Sequence, residues 1–281
     1  MAEPNSYLQK RVIIVTGAAS GFGRLVCEKS AARGARVLCA DVNESGLAET
    51  VATIAQAGGT AEAILSDVRV LQDTQAMAAK ALELWGQIDI LVNNAGIMPL
   101  AFFADHSTAT DAWTRCIDIN IKGVMHGIIS VHDQMIAQGQ GHIVNLSSIY
   151  SNNPVAGAAV YGASKAAVNF LSDALRVESQ GRIKVTNVKP TGVPGTALST
   201  GVINPAAVIG ILGQNGPAYQ QQMAAYATGD LPPEHSDADN IEYLALEPAY
   251  LADQIIYAID QPWGVTIGEI TVRAAGEGYV L

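Results

Sequence analysis

The chain has 281 residues, 49% of them hydrophobic and 15% charged, which is ample apolar material for a well-buried core. Its formal net charge of −10 and pI near 4.9 disfavour nucleic acid or an anionic membrane as partners, because both demand a basic surface. No stretch approaches the roughly 18 apolar residues of a membrane span, the opening "MAEPNSYLQKR" lacks the apolar core of a secretion signal, and cytoplasmic residence is the default expectation.

Short β-branched runs alternate with stretches of helical period along the chain. "RVIIVT" precedes a helix over 21–33, "ARVLCAD" a helix over 44–57, and "AEAILSDV" a helix over 70–85. "IDILVNN" leads to a long helix over about 108–138, "GHIVNLSS" to a helix over about 160–179, and "RIKVTNV" to an irregular connection over 191–247. A last helix over about 248–259 and a strand "GEITVR" close the pattern. Strands that are apolar throughout and separated by helices predict a doubly wound parallel sheet, Rossmann-type, with helices on both faces. Residues 1–281 read as one domain, and a connection as long as 191–247 inside it reads as a substrate loop or lid.

Cys27, Cys39 and Cys116 are far apart and lack CxxC spacing, and the five histidines show no metal-ligand spacing, so neither a disulfide framework nor a metal site is expected. Chemistry points elsewhere. "TGAASGFG" follows the first strand and opens the first helix, where Gly17, Gly21 and Gly23 would let the backbone approach a pyrophosphate facing the helix N-terminus. A tightly packed turn could use the same string. Asp41 ends the second strand, where a carboxylate accepts hydrogen bonds from ribose hydroxyls or caps the next helix. In "YGASKAAV", Tyr161 and Lys165 lie about one helical turn apart. An ammonium about 4 Å from the phenol, at an effective dielectric of about 20, would contribute roughly 4 kcal/mol, about three pKa units, and make Tyr161 a general acid/base near neutral pH.

Together these motifs resemble the short-chain dehydrogenase/reductase family, over about residues 11–190. The resemblance implies cofactor contacts from Gly17, Ser20, Gly21, Phe22 and Gly23 in the turn, from Asp41, and from Asp67 and Val68 beside the adenine. The family's NNAG motif is matched by Asn93, Asn94, Ala95 and Gly96, the last three lining the cofactor cleft. Its catalytic set is matched by Asn120 in "DINIKG", Ser148 (13 residues before the tyrosine, selecting it over Ser147), Tyr161 and Lys165. In that role Tyr161 shuttles the proton of a substrate hydroxyl, and Lys165 lowers the tyrosine pKa and holds the nicotinamide ribose. Ser148 binds the substrate oxygen, and Asn120 positions a relay water.

After the sixth strand the chain departs from the family pattern. In "PTGVPGTAL", Pro190 and Val193 fit the cofactor-contacting slots, Thr191 replaces the usual glycine, and Thr196 sits one place later than the phosphate-binding threonine. The ending "GEITVRAAGEGYVL" replaces a glycine-rich finish. The implied activity is NAD-dependent interconversion of a secondary alcohol and a ketone, in a homodimer or homotetramer. An NADP-dependent carbonyl reductase and a catalytically silent dinucleotide sensor are the alternatives. Met98, Ser148, Tyr150 and Tyr161 are the expected substrate contacts. Between Pro190 and Val272 there are nine Asp or Glu and no Lys or Arg, so the expected substrate is a neutral, largely apolar small molecule.

Overall fold

The computed structural model describes residues 6–194 and 197–280. In chain order it runs β1 (Val12–Thr16), α1 (Gly21–Ala32), β2 (Arg36–Asp41), α2 (Glu44–Gln56), β3 (Thr60–Leu65), α3 (Leu71–Trp85) and β4 (Ile90–Asn93). Then come α4 (His106–Ile117), α5 (Gly123–Gln138), β5 (Gly141–Leu146), α6 (Ala159–Glu178), β6 (Ile183–Pro190), α7 (Gly216–Thr228), α8 (Pro233–Ser236), α9 (Pro248–Ile259) and β7 (Glu269–Val272). All neighbouring strands pair in parallel, in the order β3-β2-β1-β4-β5-β6-β7.

The strand sequences explain why helices cover both faces. Alternate residues of a strand point to opposite sides. Ile13 and Val15 of β1 face a core completed by Val26 and Cys27 of α1, Leu47 of α2, and Leu251 and Ile255 of α9. Val12 and Ile14 face the other core, built with Met77 of α3, Val131 and Met135 of α5, and Leu175 of α6. Burial on both faces holds for β1, β4 and β5, whose residues are all buried, the polar Thr16, Asn93, His142 and Asn145 among them. It fails at the two edges, where β3 and β7 expose every second residue or more. An edge strand has only one neighbour and is covered less.

The helix expected over 108–138 is two helices. Between α4 and α5, Asp118–Lys122 form a π-helical turn. The side chain of Asn120 explains the break: its Oδ1 accepts from Ile97 N at 3.0 Å and its Nδ2 donates to Ile97 O at 3.0 Å, a two-point clamp onto the loop after β4. Such turns insert an extra residue and concentrate at functional sites. The connection over 191–247 also carries structure: 3₁₀ turns Ala197–Gly201 and Pro205–Ile211, then α7 and α8. Among the described residues no helix is long and apolar enough to cross a membrane.

Candidate active site

The strand order reverses between β1 and β4, and in an open parallel sheet the crevice at such a switch, outside the carboxyl ends of the strands, is where ligands bind. A cleft of about 560 Å³ opens there. Its wall takes in Gly17, Ser20, Gly21 and Phe22 after β1, Asp41 after β2, Asp67 and Val68 after β3, and Asn94, Ala95 and Gly96 after β4.

The turn after β1 is built for close approach. Gly17 has φ +67° and Gly21 has φ +53°, left-handed conformations that side chains disfavour. A side chain on Gly23 would run into the Gly17 carbonyl. Asn94 fastens the turn to β4 by donating from Nδ2 to Thr16 O at 2.9 Å and Gly17 O at 3.1 Å. Ser20 precedes α1 without a side-chain cap, so first-turn N–H groups of α1 remain for an anion. Asp41 braces the same turn: Oδ2 accepts from Ala19 N at 3.1 Å and Oδ1 from Asn43 N at 3.0 Å, which leaves each oxygen a further lone pair. It therefore steadies the loop before α2, while Asn43 caps that helix. Asp67 is gripped by the guanidinium of Arg69 at 2.5–2.9 Å, and that bond, ahead of the opposing effect of partial burial, holds its carboxyl below the usual range.

At the inner end of the cleft stands Gly96. A Cβ there would lie 3.3 Å from Asn120 Oδ1 and 3.5 Å from Lys165 Nζ, so glycine keeps that approach clear. Behind it, outside the cleft wall itself, Asn120, Ser148, Tyr161 and Lys165 come together, all buried. β5 ends in the loop that carries Ser148, α6 presents Tyr161 and Lys165 on one face, and the π turn supplies Asn120. The neighbour Ser147 turns away and donates to the Lys165 carbonyl at 3.2 Å. Asn120 Nδ2 also donates to Ser164 Oγ at 3.0 Å and lies 3.3 Å from Cys116 Sγ, so its side chain is fully engaged within the protein.

The electrostatics correct one expectation. Lys165 Nζ donates to Leu146 O at 2.7 Å and lies 5.9 Å from the centre of the Tyr161 ring. Burial pushes the Tyr161 phenol above its ordinary value of 10, and the nearby Ser148 hydroxyl only partly opposes this. Burial likewise pushes Lys165 down to about 8. Desolvation of the charged forms outweighs their proximity, so this pair by itself does not produce a low-pKa tyrosine.

The remaining expected residues divide. Tyr150 packs edge-on against Tyr161 with ring centres 5.5 Å apart, and Met98 joins the same apolar cluster. Val202, Ala207 and Val208 of the lid pack there too, leaving Tyr161 only 3% exposed. Pro190 ends β6 and Val193 packs on Tyr243, Leu246 and Ala274, so neither forms part of the cleft wall. Thr196 lies outside the described residues. The sequence reading missed Arg69 as the partner of Asp67, and Leu198, Thr200 and Gly201 of the lid base as cleft wall. Arg69 two residues after Asp67 was a usable signal; the lid contacts had none. Among the described residues no cluster of His, Cys, Asp and Glu could hold a metal.

Residues 11–205 match the family model for short chain dehydrogenases. The chain belongs to the short-chain dehydrogenase family. This short-chain dehydrogenase is 34% identical to an oxidoreductase of Listeria monocytogenes over 272 residues, 97% of this chain and 99% of that one. It also superimposes on the solved structure of a short-chain dehydrogenase/reductase from Burkholderia phymatum in complex with NAD, with a TM-score of 0.73 and 28% identity, covering 94% of this chain and 89% of that one. A metagenomic short-chain oxidoreductase in complex with NADP gives a TM-score of 0.71 and 27% identity, covering 95% and 97%. The dehydrogenase is thus an oxidoreductase whose solved relatives hold either nicotinamide dinucleotide.

Proposed function

We propose that the chain, acting as one domain, interconverts a secondary alcohol and a ketone with NAD as its preferred cofactor. One observation carries this reading: Tyr161, Ser148, Lys165 and Asn120 are buried together behind Gly96, the residue that walls the inner end of a cleft whose outer part is a glycine turn and an acceptor carboxylate. A dinucleotide sensor would need the cleft and not the buried proton-transfer group. The residues fit the cofactor. Gly17 and Gly21 leave room for the pyrophosphate at the start of α1, Asp41 has lone pairs for the adenosine ribose hydroxyls, and Asp67 and Val68 flank the adenine.

The bound nicotinamide supplies the hydride acceptor or donor. The protein does the rest. In reduction, the Tyr161 phenol gives its proton to the substrate oxygen as the carbonyl carbon gains hydride; in oxidation, Tyr161 first passes its own proton to the relay water, and Oη then takes the proton of the substrate hydroxyl as the carbinol carbon loses hydride. Ser148 donates to the substrate oxygen. Lys165 spends one of its N–H groups on Leu146 O and has others for the nicotinamide ribose. Asn120, clamped to Ile97, fixes the π turn through which a water relays the proton to solvent. The lid packed on Tyr161 excludes bulk water and must open to admit substrate.

The apolar cluster of Ile97, Met98, Phe102, Tyr150, Val155 and Val202 around Tyr161 favours a neutral, largely apolar alcohol. The family's pairing of long helices supports a homodimer or homotetramer, and the absence of a spanning helix among the described residues accords with a cytoplasmic location. Turnover of a panel of secondary alcohols and ketones with NAD and with NADP tests the reading. No turnover of any member with either cofactor would overturn it.

A further inference from the structure

We propose that Glu277 is a positioning residue for the nicotinamide half of the cleft, and that the tail Arg273–Val280 is the strap through which it acts. The inference rests on the dinucleotide reading above. It begins with the two places where the sequence leaves the family pattern, Thr191 in place of glycine and the unusual ending, because in the fold these two departures touch.

Three consecutive residues after β6 each meet a tail residue. The Thr191 hydroxyl is hydrogen-bonded to Glu277 Oε2. The Tyr279 hydroxyl occupies the space where a Cβ on Gly192 would stand, so only glycine fits there. Val193 packs on the cluster that contains Ala274. The tail is folded back to make these contacts: Arg273 Nε donates to Glu277 Oε1 at 2.6 Å and its other guanidinium nitrogen to Tyr279 O at 3.1 Å. From its other side the tail holds the lid. Asn215 Nδ2 donates to Gly278 O at 2.8 Å, Val280 N to Ile211 O at 3.1 Å, and the hydroxyls of Tyr219 and Tyr279 lie 3.1 Å apart.

Topology says which half of the ligand this segment serves. Asp41 and Asp67 put the adenosine end over β2 and β3, on one side of the switch point, so the other end must lie across the carboxyl ends of β4, β5 and β6. Residues 191–193 leave the end of β6, next to the β5 end that carries Ser148: Ser147 N donates to Val188 O at 2.8 Å. The Glu277 side chain is 3% exposed. A carboxylate so removed from water is costly unless its partners satisfy it; without the Thr191 hydroxyl Glu277 keeps Arg273, and without the carboxylate the hydroxyl keeps only the Val272 carbonyl at 3.2 Å. Thr191 is therefore held in place by the tail, and with it the path of the chain past the nicotinamide site.

Equilibrium binding of NADH and of ADP-ribose, which has the adenosine and both phosphates but no nicotinamide, tests this without turnover. Glu277→Ala should weaken NADH about tenfold, the scale of one hydrogen bond to a charged group, while ADP-ribose stays within about twofold. Thr191→Val should reproduce that selectivity and supplies the test should Glu277→Ala not fold. Glu277→Gln, which can still meet the Thr191 hydroxyl, should restore most of the NADH affinity. Equal weakening of both nucleotides, or no weakening of either, would overturn the strap. Wild-type protein that binds neither nucleotide would instead overturn the dinucleotide reading beneath it.

Discussion

Lys165 Nζ is bonded to the Leu146 carbonyl at 2.7 Å and faces the ring of Tyr161 with 5.9 Å to its centre. Both side chains are buried, and burial drives both toward their neutral forms. The tyrosine thus enters reduction as a phenol and must shed that proton before oxidation, in a dry site where its one ionisable hydroxyl cannot be replaced by solvent. Tyr161→Phe should cut turnover to below about one part in a hundred, the usual weight of a positioned general acid/base, with NADH affinity nearly intact. Lys165→Ala should damage both binding and turnover. Steady-state kinetics with parallel titration of NADH decide this, and a Tyr161→Phe protein retaining a tenth of wild-type activity would remove the tyrosine from its role.

The cofactor preference follows from which cations stand near Asp41. Arg36 begins β2 and so lies at the opposite end of the strand from Asp41. Arg24 is committed to Ala19 O, Thr50 Oγ1 and Glu49, at 2.6–3.0 Å. Arg69 is folded onto Asp67. A 2′-phosphate, with nearly two negative charges, would meet the Asp41 carboxylate without a ready counter-ion. Accordingly kcat/KM with NAD should exceed that with NADP. Asp41→Ala should narrow the gap by about tenfold, a single charged-group interaction, and should also weaken NAD, since Ala19 N and Asn43 N lose their acceptor. A wild-type preference for NADP would overturn the assignment.

These predictions separate what sequence could and could not tell. Gly17, Asp41 and the Tyr161–Lys165 pair were legible because strand-to-helix turns and one-turn helical spacing are local properties. The break at Asp118–Lys122 was not legible: it depends on Asn120 reaching Ile97, a partner 23 residues away that helical periodicity does not register. The same is true of Glu277 and Thr191, 86 residues apart, each visible in the sequence only as an isolated oddity. The burial of the tyrosine was not legible either, because charge spacing can be read from sequence and desolvation cannot.

A buried histidine away from the site sets an acid limit on stability. His142 Nε2 lies 2.8 Å from Thr186 Oγ1, whose own hydrogen goes to Ile267 O at 2.6 Å, so Nε2 carries the imidazole proton. Burial, and secondarily the charge of Lys184, push its pKa from 6.5 down to about 3. The folded group is depressed, so the unfolded chain binds the extra proton first, and stability falls as pH drops from 6.5 toward 3. One such proton gives a slope of about 1.4 kcal/mol per pH unit. Urea unfolding between pH 6.5 and about 4.5, above the main carboxylate range, should show this slope in wild type. It should be missing in His142→Gln, whose overall stability will be lower. An unchanged slope in the variant would assign it to other groups.

The last prediction concerns the charge of the substrate. Lid residues Ala207, Ile211 and Leu212 are buried, Tyr219 and Met223 are half-buried, and Tyr226 faces solvent, so much of the lid's apolar surface packs inward. Among the described residues the lid contributes no cation, and the two candidates on the α4–α5 side differ. Lys122 is exposed and paired with Asp118 at 2.6 Å, whereas Arg115 is exposed and forms part of the cleft wall, as do Leu198 and Thr200. That wall belongs to the cleft at the switch point, and the one cation beside Tyr161 among the described contacts, Lys165, is turned to the Leu146 carbonyl. An anionic substrate would therefore bury its charge unpaired, at a cost a neutral one avoids. Matched neutral, anionic and cationic secondary alcohols should rank with the neutral members first in kcat/KM. Arg115→Ala should leave that ranking unchanged. A clear advantage for anionic members, lost in Arg115→Ala, would overturn the neutral-substrate reading and make Arg115 the group that recognises the anion.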